Sequence, residues 1–90
     1  MKDDVYKALA SKYRREIIRL LRWQNLSAGE IASHFDISAP SISRHLDILK
    51  TAELITATRK GTRIDYALNL SVVQELQVHL MGLLGGEDED

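Results

Sequence analysis

The sequence predicts a mainly α-helical fold with one small β-hairpin, an α+β arrangement in the order ααααββα. Over most of the 90 residues, apolar side chains recur at spacings of three and four, which is typical of amphipathic helices. From Leu54 to Leu68 the spacing becomes two on both sides of Gly61, which is typical of a hairpin. A chain of this length buries one modest core, so we expect a single domain.

Two helices are predicted in the N-terminal quarter of the chain. Asp3 or Asp4 caps a short helix that runs to about Ala10. Ser11 then opens a second helix, from Lys12 to about Arg22. The apolar positions of this second helix recur at helical spacing and are Tyr13, Ile17, Ile18, Leu20 and Leu21.

A capping box predicts the third helix. Ser27 and Glu30 lie three residues apart, so each side chain can bond a backbone amide of the other residue. We therefore expect a helix from Ala28 to about Phe35. Asp36 makes the turn that follows.

Ser38 caps the fourth predicted helix, which continues to about Ala52. Pro40 lies in its first turn, where the missing amide hydrogen leaves no bond unmade. The apolar stripe expected to face the core consists of Ile42, Leu46 and Leu49.

The hairpin and a last helix complete the order. Alternating residues from Leu54 to Arg59 and from Ile64 to Leu68 form the two strands. Ser71 and Gln74 resemble another capping box, which would open a last helix that runs through Leu84.

The third and fourth helices have the dimensions of a helix-turn-helix, and the hairpin follows them as a wing. At about 100° per residue, burial of the apolar stripe of the fourth helix turns its other face outward. The outward residues are Pro40, Ser41, Arg44 and Asp47, with Ser43 at the flank.

Arg44 is the best candidate for reading DNA bases, because a guanidinium matches the O6 and N7 atoms of guanine. Ser41 and Ser43 can donate to bases or phosphates, and the helix N-terminus at Ser38 and Pro40 favours an anion such as phosphate. The alternative is that Arg44 only solvates a helix surface.

The predicted hairpin tip is basic. Its cluster suits a wing that contacts phosphates or enters the minor groove. The alternative is that these residues only block edge-to-edge strand pairing. Arg14 and Arg15 of the second helix are interpreted either as DNA-backbone contacts or as helix-surface charges. The tip residues are Arg59, Lys60, Thr62 and Arg63.

The formal net charge of −1 conceals an uneven distribution. From Val5 to Ile64 there are 11 basic and five acidic residues, whereas the last four residues, 87–90, are all acidic. We expect residues 1–84 to form the domain and residues 85–90 to form an acidic flexible tail. The tail either only adds solubility or competes with DNA for the basic face.

The last helix is apolar around more than half of its circumference, which one domain of this size cannot bury. We expect a homodimer through this helix and the first one. The alternatives are a mobile amphipathic end or a docking surface for another protein. The predicted interface residues are Val5, Tyr6, Leu9, Val72, Val73, Leu76, Leu80, Leu83 and Leu84.

The sequence offers little for catalysis or metal binding. It contains no cysteine, and Glu75 with His79 is a metal-compatible pair that lacks further ligands. Ser43, His45 and Asp47 lie two residues apart on one helix, so they cannot form a catalytic triad. We expect no enzyme and no cofactor. No apolar run approaches the roughly 18 residues that span a bilayer, so we expect a cytoplasmic protein.

Two stretches carry a family resemblance. Residues 27–55, which contain Ser-Ala-Pro-Ser-Ile-Ser-Arg-His-Leu at 38–46, and the stretch Arg59-Lys-Gly-Thr-Arg-Ile-Asp-Tyr-Ala-Leu68 resemble the ArsR/SmtB-type winged-helix repressors. The resemblance is closest to their metal-independent branch, the sporulation-delay autorepressors. It implies a homodimeric transcriptional repressor that binds a palindromic operator in double-stranded DNA.

The resemblance also implies roles for single residues. Base and phosphate contacts fall on Ser41, Ser43, Arg44 and His45, and wing contacts fall on Arg59, Lys60 and Arg63. Many members have Asp-Pro-Thr-Arg at the start of the second helix, where this chain has Ser-Lys-Tyr-Arg at 11–14, so only Arg14 is retained. Because the sequence has no cysteine and no complete set of metal ligands, we expect release from DNA to depend on an inactivating partner protein or on concentration.

Two departures from the family pattern concern the backbone. Glu53 and Asp36 stand where Gly is common, so both are expected in the left-handed region, at about 1 kcal/mol for Glu53. Two other functions stay open: a winged-helix protein-interaction module that does not bind specific DNA, and a metal-gated sensor that uses Glu75 and His79 of the last helix.

Overall fold

A computed structural model describes residues 3–85 and confirms a mainly helical fold with a small antiparallel sheet. The elements, in chain order, are α1 (Asp3–Ala8), α2 (Lys12–Leu21), β1 (Leu26–Ser27), α3 (Ala28–Ala32), α4 (Ala39–Thr51), β2 (Ile55–Lys60), β3 (Arg63–Leu68) and α5 (Leu70–Gly85). The predicted acidic tail, apart from Gly85, lies outside the described residues. Within the described part, no helix is long and apolar enough to cross a membrane.

Three of the predicted helix caps are confirmed. The Ser11 hydroxyl accepts hydrogen bonds from the amides of Tyr13 and Arg14 in α2, and the Ser38 hydroxyl accepts one from the Ser41 amide of α4 at 3.2 Å. Ser27 and Glu30 form the complete capping box of α3, with bonds of 2.9 and 3.2 Å. Each cap satisfies amides that the helix itself leaves without partners, and so fixes where the helix begins.

The predicted capping box of α5 is wrong. The helix begins at Leu70, one residue before Ser71, so Ser71 and Gln74 already lie inside its first two turns. The residue before the helix is Asn69, whose carbonyl accepts two backbone amides of the first turn at 3.1 Å.

Two helices are shorter than predicted, because both end in tight turns. After α1, the amides of Leu9 and Ala10 bond carbonyls three residues back. After α3, the amides of His34 and Phe35 do the same at 3.0 Å, so the chain leaves the α-helix at Ala32 rather than near Phe35.

The sheet has three strands in the order β1-β3-β2, all antiparallel. The hairpin pairs Ile55 with Leu68 at its base and Lys60 with Arg63 at its tip. The two-residue strand β1, which pairs Leu26 with Tyr66, was not predicted, because two residues cannot show an alternating pattern.

The core lies between the first four helices and the base of the hairpin. Its buried residues come from every element except β3 and α5, and α5 contributes only partly buried side chains to its edge. The fully buried large side chains are Ile17, Ile31, Ile42, Leu46, Leu49, Leu54 and Ile55.

Glu53 ends α4 in the left-handed conformation that the sequence predicts, with φ of 65°. Its amide donates to the carbonyl of Lys50 at 2.9 Å, and the Leu54 amide donates to Leu49 at 3.0 Å, which together form a Schellman cap. The prediction for Asp36 is wrong: within residues 3–85, Glu53 is the sole non-glycine residue with positive φ.

Replacing Glu53 with Gly should stabilise the protein. Gly adopts positive φ without the Cβ clash, so Glu53→Gly should raise the free energy of unfolding by about 1 kcal/mol in urea titrations at fixed protein concentration. Glu53→Ala is the control, because Ala keeps the clash and should give no such gain. Equal stabilities of the Gly and Ala variants would contradict this account of the cap.

Candidate nucleic-acid interface

The outer face of α4 is exposed as predicted, except at Ser41. Burial of its apolar stripe, of which every member is at most 2% exposed, fixes the rotation of the helix. Ser43, Arg44 and Asp47 are therefore exposed, and so is Pro40 in the first turn. Ser41 is half-buried, and its hydroxyl accepts a hydrogen bond from the Ser38 hydroxyl at 2.9 Å.

Arg44 has a free guanidinium. Among residues 3–85 it takes part in no ion pair and no side-chain hydrogen bond, although Asp47 lies one turn further along α4. The small residues Ser41 and Ser43 lie on its N-terminal side, and Asp4 and Lys7 of α1 line the groove that it shares with Asp47. The guanidinium can therefore approach an acceptor pair from outside without first breaking an internal contact.

Arg14 is not a free cation. Its Nε donates to the carbonyl of Ala8 at 2.6 Å, and its Nη2 donates to the carbonyl of Lys7 at 3.2 Å. Its Nη1 lies 3.0 Å from Nδ1 of His45 on α4. The half-buried guanidinium thus satisfies the C-terminal carbonyls of α1 and joins them to α4. These contacts favour the helix-surface interpretation of Arg14 over a contact with DNA.

His45 is held within the protein rather than on the outer face of α4. Its half-buried ring lies 5.6 Å from the Tyr13 ring, centroid to centroid. Because a guanidinium can only donate, Nδ1 accepts the bond from Arg14 and the imidazole is neutral. Burial and the charges of Arg14 and Arg44 lower the pKa of His45 below its ordinary value. The geometry does not place this ring beside Ser43 and Arg44 as a reading group.

Arg15 shows the same use of a guanidinium, since its Nη1 donates to the carbonyl of Leu9 at 2.8 Å. Arg14 and Arg15 together bind the chain that leaves α1. The sequence signal for this arrangement is an Arg pair in the first turn of a helix that closely follows another helix. The carbonyls at the end of the first helix have no helical partners and lie within reach of both Arg side chains.

Two of the three wing cations are paired with acids. Arg63 contacts Asp65 through Nε and Glu30 through Nη2, the latter at 2.6 Å, and Lys60 lies 3.4 Å from Asp65. Arg59 instead donates from Nε to the carbonyl of Gly61 at 3.1 Å and contacts no acid within the described chain. Thr62 is exposed at the turn.

The pairing of the wing cations with Asp65 and Glu30 was not predicted from the sequence. Hydrogen bonding from Arg63 lowers the pKa of Asp65, and bonds from the Ser27 amide and then Arg63 lower that of Glu30. The same carboxylates raise the pKa of Arg63. Asp65 could have been found, because it faces the same side of β3 as Arg63 two residues earlier. Glu30 lies 33 residues away, so no local pattern reveals it.

The apolar surface of α5 changes along the helix. Val72, Val73 and Leu76 pack against the edge of the core, whereas Leu80 and Leu83 on the same side of the helix are 41% and 68% exposed. Val5 is only 4% exposed and belongs to the core of the chain, so it is not on this surface. The remaining predicted interface residues are half-buried or exposed and comprise Tyr6, Leu9 and Leu84.

A known protein family matches the segment that runs from α2 through α4 to the start of β2. The model of the arsR family of bacterial regulatory proteins matches residues 11–57. The transcriptional repressor SdpR of Bacillus subtilis is 44% identical over 88 residues, which cover 98% of each chain. The chain belongs to the ArsR family. Its relatives are transcriptional regulators, in agreement with the prediction that it is not an enzyme.

Solved structures of ArsR-type regulators share the fold. An ArsR-like transcriptional regulator from Rhodococcus superposes with a TM-score of 0.80 at 25% identity, over 93% of this chain and 78% of that one. A homodimeric winged helix-turn-helix DNA-binding domain from Mycobacterium bovis gives 0.71 at 27% identity, over 97% and 84% of the two chains. The predicted winged helix-turn-helix is confirmed, with β1 as an added strand.

The described part of this ArsR-family chain brings no set of metal ligands together. Within residues 3–85 there is no cluster of three or more His, Asp or Glu side chains that could hold a metal ion. Glu75 and His79 lie together along one groove of α5, and the His79 ring lies 6.1 Å from the Tyr6 ring of α1. His79 thus links α5 to α1 through an aromatic contact.

Proposed function

We propose that this ArsR-family protein binds a palindromic operator as a homodimer and represses transcription, with α4 in the major groove and the wing on the adjacent backbone. The free, exposed guanidinium of Arg44 carries the proposal, because it lies where the fold presents α4 outward. The 44% sequence identity with SdpR, a transcriptional repressor, supports repression as the outcome of DNA binding. We place this action in the cytoplasm, where bacterial DNA lies.

The test of this function starts from a pool of random duplexes and the purified protein. Bound sequences should converge on an inverted repeat, and mobility shifts at two salt concentrations should show binding that weakens as salt rises. A complete lack of duplex binding at low salt would favour a protein-interaction module instead.

Base reading is assigned to Arg44, with Ser41 and Ser43 as shorter-range donors. A guanidinium that bonds O6 and N7 of a guanine discriminates by about 1–3 kcal/mol against other bases. Ser38 and Pro40 mark the N-terminus of α4, whose amides favour a phosphate of the same strand. The small hydroxylic residues around Arg44 allow the backbone of α4 to approach the groove closely.

Arg44→Ala should weaken binding to the selected operator by about 1–3 kcal/mol and relax the base preference at one position in each half-site. The measurement is a binding titration against the operator and its single-base variants. Lys50→Ala is the matched control, because it removes one exposed charge from the last turn of the same helix. An unchanged preference in Arg44→Ala would show that α4 does not read DNA through this residue.

Backbone contact by the wing is assigned first to Arg59, and then to Thr62, Lys60 and Arg63. Arg59 has no acidic partner in the described chain, whereas Lys60 and Arg63 share Asp65 and must exchange that carboxylate for a phosphate. An exchange of one anion for another releases less free energy than a new pair.

Arg59→Ala should weaken binding to all duplexes alike and reduce the slope of log affinity against log salt by about one for each phosphate that the wing no longer binds. Arg22→Ala is the control with the same change of charge. Arg22 lies beside Leu68, at the base of the hairpin and away from its tip. Equal slopes in the wild type and in Arg59→Ala would place the wing away from DNA.

We infer that the homodimer forms through the exposed part of the α5 stripe, Leu80, Leu83 and Leu84, with Tyr6 and Leu9 of α1 at its side. The stripe that seats α5 on its own core continues past that core, and the described chain measures 47 Å along its longest axis but only 26 and 20 Å across. A second copy would bury what one chain leaves open. A partner protein that covers these residues would release the operator by the same route.

Leu80→Glu should convert the dimer to a monomer, since a carboxylate in a desolvated stripe costs several kcal/mol. Sedimentation velocity reports the mass, and the operator titration should show a parallel loss of affinity. Gln74→Glu adds the same charge to an exposed position on the opposite side of α5, and should leave the mass unchanged. A dimeric Leu80→Glu variant would contradict the proposed interface.

A further inference from the structure

We propose that Arg14 is a positioning residue for the reading helix, joining the C-terminal end of α1 to His45 of α4 through one guanidinium. The proposal goes beyond the base and phosphate contacts above, and its DNA-binding arm rests on the proposed function. In this role Arg14 and His45 act on DNA affinity without contact to DNA.

The geometry of the guanidinium carries the proposal. Its three contacts, with the carbonyls of Lys7 and Ala8 and with Nδ1 of His45, lie between 2.6 and 3.2 Å. The planar fork of Arg can make such contacts together, whereas a Lys ammonium has no such fork. Arg14 and His45 are 31 residues apart, so this single side chain fixes one helix end against the middle of another.

The position of His45 connects this contact to the reading face. His45 follows Arg44 directly, so any rotation of α4 that breaks the contact also turns Arg44. On the other side, α1 contacts the dimerisation helix through Tyr6 and His79. Arg14 therefore lies on the contact path between the dimer surface and the reading helix.

The surroundings of His45 require a neutral imidazole. The charged and titratable groups that face it are Arg14 and Tyr13 of α2 and Arg44 of its own helix, and no carboxylate in the described chain pairs with it. Protonation would place a cation 3.0 Å from the Arg14 guanidinium and remove its acceptor. The hydrogen bond is therefore present while the imidazole is neutral and breaks on acidification.

A double-mutant cycle tests this hydrogen bond without DNA. Arg14→Ala, His45→Phe and the double variant are compared by urea unfolding at fixed protein concentration; Phe keeps a ring beside Tyr13 but has no acceptor. The two substitutions should be coupled by about five- to tenfold in the unfolding constant. Additive effects would overturn the proposal. This unfolding experiment remains a valid test even if the wild type binds no duplex.

The operator titration separates positioning by Arg14 from direct binding of a phosphate. Arg14→Ala should lose about tenfold in affinity while its salt slope stays that of the wild type, whereas removal of a phosphate-binding cation reduces the slope by about one. Arg14→Lys keeps the charge but not the fork, so it should behave like Arg14→Ala. A Lys variant with wild-type affinity would overturn the proposal.

The pH profile tests whether operator affinity falls or rises when His45 is protonated. Between about pH 7.5 and pH 5, with the imidazole followed by NMR, wild-type operator affinity should fall as His45 titrates. His45→Asn keeps an acceptor near the position of Nδ1 and does not titrate, so it should bind like the wild type at neutral pH and lose no affinity on acidification. A direct phosphate contact predicts the opposite sign, because a protonated imidazole attracts phosphate. Affinity that rises or stays level while His45 titrates would overturn the proposal.

Discussion

Burial of three side chains of α4 is the constraint on which the rest of the interface depends. Ile42, Leu46 and Leu49 are at most 2% exposed, and they lie on one stripe of the helix. With that stripe fixed against the core, helical geometry leaves Ser43 and Arg44 exposed without any further interaction. The Schellman cap at Glu53 then ends the helix and directs the chain into β2, so the wing begins at a defined place beside the exposed face of α4.

Several of the cations between Val5 and Ile64 are held by contacts within the fold before any DNA is present. Arg14 and Arg15 bind carbonyls at the end of α1, Arg19 pairs with Glu16, and Arg63 bridges Glu30 to Asp65. The excess of basic residues between Val5 and Ile64 therefore overstates the charge that is free to meet phosphate. The charges counted along a sequence indicate whether an interface is positive or negative. The contacts in the folded structure decide which cations are available to it.

The features that could be predicted from the sequence are those that depend on residues within about one helical turn of each other. The caps at Ser11, Ser27 and Ser38 need only a hydroxyl and the amides that follow it, and the exposure of Arg44 needs only the helical period. What the sequence could not reveal depends on contacts between distant segments, such as Arg63 with Glu30. A role for Arg14 within the fold was one of two interpretations of its sequence position, and its contact with His45, 31 residues away, is the part that no local pattern shows.

The small number of unpaired cations at the proposed DNA-binding face explains the importance of the proposed dimer. On that face each protomer presents Arg44 and Arg59 without acidic partners among the described residues, too few phosphate or base contacts for a tight complex at physiological salt. In the proposed dimer, joining two protomers through α5 doubles these contacts, and binding of the second half-site becomes intramolecular. On this proposal the apolar stripe of α5 contributes to operator affinity although none of its residues needs to touch DNA. Because the same helix contacts α1 through His79 and Tyr6, the proposed dimer surface also borders the contacts that we propose to orient α4.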